Sequence, residues 1–421
     1  MVLPVRRQLT FTTPAWTAGT KGPVRGAAIL EPRTMAEFER VKDRLKGAWV
    51  LARSVPPGRR TGGGRPGAGA PPPASSDATP VAQEERAKVQ EAIAKIGIAG
   101  RVSSSPNDRV TTGGSFRGLE WGKLPTDVRV IVTKPDYDAI VEQIELYRPV
   151  ELEFDIENRF LKGPVPLYNV IADIPGTERP DEMVIISGHL DSWNGPGSEG
   201  SMDNGTGTMV ALEAARILMA TGVKPKRTIR FILWTGEEQG LLGSRAYVEM
   251  HKDKLDKISA VFVDDGGTNY QGGVVCVEQM APMLREAMES VGRAFPDLPQ
   301  TVDIAPAMPR GGGSDHAPFN AVGVPGFFWH ERGRAEYGFV WHTQNDKLEY
   351  AIPEYLVQSS TNSAVVAFKI ANAPTLLPRA TAEQRALAEK LPPVPSIGGK
   401  FDHDHDDDHD HDHDHDGDGR R

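Results

Sequence analysis

Short apolar runs that end abruptly in glycine, histidine or acidic residues set the pattern of this chain. Met183-Val184-Ile185-Ile186 and Ile229-Arg230-Phe231-Ile232-Leu233-Trp234 have the length and β-branched content of buried strands. The first runs on into Gly188-His189-Leu190-Asp191 and the second into Thr235-Gly236-Glu237-Glu238. Between them, Ser201-Met202-Asp203-Asn204-Gly205 opens a segment with apolar residues at Val210, Ala214, Ile217 and Leu218, the spacing of a helix face. Two more strands are predicted at 258–263, which ends in Asp264-Asp265, and at 323–329, which His342 follows after a loop.

Alternating strands and helices predict an α/β domain over 164–378, with a mixed, largely parallel central sheet sandwiched by helices. Ligands bind such sheets at the carboxyl ends of their strands. Upstream, residues 21–163 predict a small α+β module: strands at 48–52 and 128–132, and a helical face at Val89, Ala92, Ile93 and Ile96 that stops at Gly97. Val150, Leu152, Phe154 and Ile156 alternate with charged residues, and 169–174 precede a turn at Pro175-Gly176, so both stretches predict antiparallel edge strands. Residues 1–20 show no clear element and are open to membership of the larger domain. The Pro/Gly-dominated stretch 56–80 buries too little apolar surface to offset its ordering entropy and reads as a disordered loop. Residues 379–400 read as a linker, and the His/Asp tail at 401–421 as disordered.

Composition changes this picture in a few places. A chain of 421 residues accommodates two or three domains. The single cysteine, Cys276, excludes an intrachain disulfide framework and a thiolate metal cluster, so any metal must use His, Asp and Glu. The formal net charge of −9 is concentrated in the tail, where ten Asp face two Arg. No Lys/Arg cluster recurs along one element, which argues against a nucleic-acid-binding face. No stretch approaches a membrane span, and Met1 to Arg7 lacks the apolar run of a secretory leader. The tail reads either as a flexible chelator that gathers divalent metal or as a solvated polyanion.

Hydrolysis of a peptide bond near neutral pH needs a polarised carbonyl, an activated water and a proton carrier for the leaving amine. Two divalent ions about 4 Å apart and one carboxylate can meet those needs. His189, Asp203, Glu238, Asp265 and His342 offer such a ligand set, and Glu237 remains as a general base. Taken singly these residues have ordinary readings: Asp203 as a helix cap, the glutamates as surface groups, His342 as structural. The convergence of six suitable residues at successive strand ends favours the joint reading. His251 reads as a helix-surface residue, His330 as a strand end, and His316 as a brace for its loop.

Ser187-Gly188-His189-Leu190-Asp191-Ser192, Ser201-Met202-Asp203-Asn204-Gly205, Trp234-Thr235-Gly236-Glu237-Glu238-Gln239-Gly240, Gly313-Ser314-Asp315-His316 and Trp341-His342-Thr343 together resemble the co-catalytic zinc exopeptidases of peptidase family M28, and within it the carboxypeptidase Q-like branch. The resemblance covers roughly 167–372. It implies a zinc exopeptidase (phosphorylase/hydrolase-like) fold, with the upstream module in the place of an inserted protease-associated-like domain. It also implies two Zn²⁺ per chain: one held by His189 and Asp265, one by Glu238 and His342, with Asp203 bridging and Glu237 as base. Asp191 would support His189, and Asp346 would support His342. Asp264 stays open as an alternative to Asp265. Some relatives place a tyrosine where this chain has Trp341, so the oxyanion donor stays open among Trp341, Tyr337 and the metals.

The implied substrate is a small peptide, with amino-, carboxy- and dipeptidase action all open, and a second subunit, in a homodimer, can contribute to the cleft. Relatives are commonly exported, which points to an extracytoplasmic location against the missing leader. A glutaminyl-cyclase-like transferase on the same fold and a non-catalytic metal-binding or interaction protein are the rival readings.

Overall fold

The computed structural model describes residues 1–53, 80–193, 195–311 and 313–391. In chain order the smaller domain consists of β1 (Phe11–Thr12), β2 (Val24–Leu30), α1 (Met35–Leu45), β3 (Trp49–Leu51), α2 (Pro80–Ala94), β4 (Gly100–Ser104), β5 (Arg129–Val132), α3 (Lys134–Glu145) and β6 (Glu151–Phe154). Its sheet runs β1-β5-β4-β3-β2-β6. The middle four strands are parallel, and β1 and β6 close the two edges antiparallel. The α+β module expected at 21–163 is therefore parallel through its centre. α1 and α2 make the crossovers from β2 to β3 and from β3 to β4, while a long loop containing one short helical turn, Trp121–Lys123, connects β4 to β5.

Residues 1–20 join this sheet. Phe11 and Thr12 pair with Val132 and Ile131, and Leu9 belongs to the apolar cluster of Trp49, Leu51, Val102, Val130, Tyr137 and Ile140 on one face. Phe38, Leu45, Val89 and Ile93 from α1 and α2 cover the other face.

The larger domain comprises β7 (Val170–Ile174), β8 (Arg179–His189), α4 (Thr206–Thr221), β9 (Arg227–Trp234), α5 (Leu242–Met250), β10 (Ile258–Val263), β11 (Tyr270–Gln271), β12 (Gly273–Cys276), α6 (Ala281–Ala294), β13 (Thr301–Ile304), α7 (Ala317–Ala321), β14 (Gly326–Phe328), β15 (Glu331–Arg332), α8 (Tyr337–Val340), α9 (Pro353–Asn372) and α10 (Ala382–Ala388). Its central sheet runs β14-β10-β8-β9-β7, parallel except for the antiparallel edge strand β7.

The side chains of β8, β9 and β10 alternate between two cores. Val184, Ile186, Ile229, Phe231 and Phe262 pack with α4, α6 and α9, while Ile185, Ile232, Trp234, Val261 and Val263 pack with Tyr247, Val248 and Phe319 from α5 and α7. Strands buried on both faces read as continuous apolar runs, which is how they stand in the sequence.

The linker expected at 379–400 contains α10. Thr381 and Gln384 form a reciprocal capping box at its start, and Ala380 and Ala388 are buried, so the packed domain extends past 379. The expected loop at 56–80 lies outside the described residues except for Pro80, which opens α2; the tail at 401–421 lies outside them entirely. No helix among the described residues is long and apolar enough to cross a membrane.

Candidate metal centre

The carboxyl ends of the parallel strands come level. His189 on β8 stands opposite Trp234 on β9, and Val263 on β10 stands opposite Ser187 and Phe328. Just past these ends the chain turns inward. Gly236, with φ 66°, takes the left-handed conformation that reverses the chain after β9 and presents Glu237 and Glu238. The Ser201–Gly205 turn ahead of α4 carries Asp203.

Asn204 fixes this turn: its side-chain amide donates to the Asp264 carbonyl at 2.8 Å and its Oδ1 accepts from Gly207 N–H at 3.0 Å. A Cβ on Gly207 would stand 2.1 Å from the Asp264 carbonyl oxygen, so only glycine lets α4 begin this close to β10. His342 follows α8 with φ 56°, an uncommon conformation for a residue with a side chain.

Two groups of ligand-type atoms result. In one, His189 Nε2 lies 3.0 Å from Asp265 Oδ1 and 3.3 Å from Asp203 Oδ1. In the other, His342 Nε2 lies 3.0 Å from Glu238 Oε2 and 3.1 Å from Asp203 Oδ2. Within each group the donor atoms lie within 4.8 Å of one another, and Asp203 belongs to both. The His189 side chain is 1% exposed and that of Asp203 4%.

His189 Nδ1 pairs with the Asp191 carbonyl oxygen at 2.8 Å, which makes Nδ1 the protonated donor and leaves Nε2 directed at the carboxylates. Glu238 Oε1 is buried without a hydrogen-bond donor. Imidazole nitrogens and anionic oxygens converging in a largely buried site, with a carboxylate oxygen left over, fit divalent cations.

Asp191 lies against His189, its main-chain carbonyl 2.8 Å and its Oδ1 3.9 Å from Nδ1. The same carboxylate accepts the N–H groups of Glu237 and Glu238 at 3.1 and 3.3 Å, fixing the Gly236 turn. Asp346 was expected to support His342, but its carboxylate accepts from Met202 N–H at 2.5 Å and Asp203 N–H at 3.3 Å, so it orients the shared aspartate. Both roles use backbone donors far away in sequence, which spacing does not reveal. Asp265 faces His189, whereas Asp264 turns to Gln271 Nε2 at 2.5 Å.

Burial dominates the electrostatics. It pushes the Glu237 carboxyl well above its ordinary range, with the charges of Asp265, Asp315 and Glu238 adding to it and His189 opposing. Glu238 is pushed up to about 7, mainly by burial and then by Asp203. For His342 burial works downward but is outweighed by Asp203 and Glu238, which raise it to about 10. These carboxylates are too crowded for all to ionise alone, and bound cations relieve that crowding.

Asp315, fully buried, had no role assigned from sequence; burial lifts it to about 7 and its charge acts on Glu237. His316 is buried, lowered to about 4, and outside both donor groups. The Trp341 ring stacks on His342 with centroids 3.9 Å apart. The Tyr337 ring packs against Gly267, where a Cβ would meet it at 2.6 Å.

Residues 169–367 match Peptidase family M28. Carboxypeptidase Q of Mus musculus is 32% identical over 214 residues, which cover 50% of this chain and 43% of that protein. Carboxypeptidase Q of Xenopus laevis is 34% identical over 212 residues, with the same shares of 50% and 43%. The match thus spans less than half the length of these curated relatives. The crystal structure of a peptidase M28 precursor from Shewanella amazonensis shares the fold, with a TM-score of 0.61 at 23% identity over 90% of this chain and 81% of that one. The segment 169–367 of this chain is thus matched by the model of peptidase family M28.

Proposed function

We propose that the chain is a dinuclear zinc exopeptidase acting on small peptides. The observation that carries this reading is the sharing of Asp203 between two His/carboxylate groups, one with His189 and Asp265, the other with Glu238 and His342. A mixed imidazole and carboxylate set without thiolates suits zinc among the biological divalent ions. When bound, two such cations polarise the scissile carbonyl and acidify the attacking water.

The chain's own residues do the remaining work. Asp203 reaches both positions with one carboxylate, and Asp346 orients it by taking its N–H and that of Met202. Glu237, whose backbone is tied to Asp191, is the general base: it accepts the proton of the attacking water and returns it to the nitrogen of the leaving amine.

The test is hydrolysis by Zn²⁺-replete protein of a panel of free dipeptides, amino-blocked dipeptides and longer peptides. Free termini should be required at one end, and which end separates amino- from carboxypeptidase action. Glu237→Gln should lower kcat by about 10²- to 10⁴-fold with both ions retained. Unchanged hydrolysis in that variant sinks the mechanism. Cyclisation of an amino-terminal glutamine peptide without dipeptide hydrolysis would replace the peptidase reading with the transferase one.

A further inference from the structure

The smaller domain reaches toward the candidate metal centre through the loop 105–118 between β4 and β5. Thr112 N–H donates to the His342 carbonyl at 2.8 Å, and Val110 N–H donates to Gln344 Oε1 at 3.0 Å. Thr111 pairs with Thr343 as an antiparallel bridge, so residues 110–112 lie beside 342–344 as a short added strand. Val110 is fully buried and Thr112 nearly so.

The loop is itself anchored. Thr112 Oγ1 lies 3.4 Å from Thr12 Oγ1 on β1, and Gly113 accepts from Ala15 N–H at 2.8 Å. Ring contacts continue the junction: Arg109 lies over Phe339 at 5.3 Å, and Trp193, 6.4 Å from the His342 ring, packs on Trp16 at 5.9 Å. His342 needs such an anchor, because a non-glycine residue with φ 56° persists only where its surroundings over-determine it.

We propose that residues 110–112 of the smaller domain are positioning residues for His342, holding its main chain in the left-handed conformation that aims Nε2 at Asp203 and Glu238. This rests on the reading above that His342 is a ligand. The smaller domain is then part of the cation site at the Glu238/His342 position, while the His189/Asp265 position stands without it. Removing the loop's hydrogen bonds frees the 342 peptide to relax, and the imidazole swings out of reach of its carboxylate partners.

Calorimetric titration of the full-length, metal-stripped chain with Zn²⁺, repeated with Co²⁺ and followed by visible absorption, tests this. Thr112→Pro deletes the donor to His342, Gln344→Ala deletes the acceptor for Val110, and Gln344→Glu keeps an acceptor oxygen in place. The first two should weaken one of the two binding steps on the order of 10- to 100-fold, leave the other within twofold, and change the Co²⁺ spectrum of the weakened step. Gln344→Glu should restore it. If Thr112→Pro fails to fold, as judged by circular dichroism, Gln344→Ala decides alone.

Both steps unchanged in folded Gln344→Ala, or both weakened equally, would overturn the inference. His342→Ala separates this from failure of the underlying reading: if it leaves both steps intact, His342 is no ligand and the proposed metal site itself is wrong.

Discussion

His342 and several buried carboxyls of the larger domain hold protons that an unfolded chain would release at the same pH. Asp264 and Asp315 are raised to about 7 by burial from an ordinary value of 3.8, Glu238 to about 7 from 4.5, and His342 to about 10 from 6.5 through its carboxylate partners. Each raised value means that the native state binds more protons than the unfolded state between the two values, so stability falls as pH rises across that window. The carboxyl contributions are complete below pH 4 and lost by about 7; the histidine contribution is complete below about 6.5 and lost toward 10. Asp203 is held low by its histidine partners, so its contribution is lost only in strong acid. Metal-free protein should therefore show a urea midpoint that falls between pH 5 and pH 9, and Zn²⁺ should flatten the curve by taking the place of those protons. A midpoint that rises over that range in the metal-free protein would contradict this account.

At the scale of elements, the parallel strands were legible because burial on both faces leaves an unbroken apolar run. Phe262 on β10 shows what that burial holds together: its ring stacks on Phe327 at 5.1 Å and on Trp329 at 5.2 Å. Phe262→Ala should cost about 3 to 5 kcal/mol in a denaturant titration, because the two remaining rings cannot collapse into the space the third one leaves. The positions of His189 at a strand end and of Glu237, Glu238 and Asp265 just past strand ends were legible for the same reason, since the apolar run marks where each strand stops. The partners of Asp191 and Asp346 were not, because those carboxylates meet backbone N–H groups contributed by other turns. The parallel centre of the smaller sheet was not legible because β3 and β5 stood out as apolar runs while β2 and β4, on either side of β3, carry arginine, glycine or serine in place of such a run. The start of α10 did carry a signal, the Thr381 and Gln384 capping pair, obscured by the prolines on either side of that helix.

At the scale of the molecule, two sheets with separate cores meet where residues 110–112 lie beside 342–344. The His/Asp tail is a separate matter: a chain ending at Lys400 should still retain two tightly held Zn²⁺ after dialysis, measured by elemental analysis. Loss of both ions would make the tail the metal store. Within the folded part, the shared Asp203 has a thermodynamic consequence. A carboxylate engaged by one cation is already deprotonated and already turned for the other, so the occupancies of the two positions are linked. Linkage of this kind is reciprocal: whatever factor the first ion contributes to the affinity of the second, the second returns to the first, in either order of arrival.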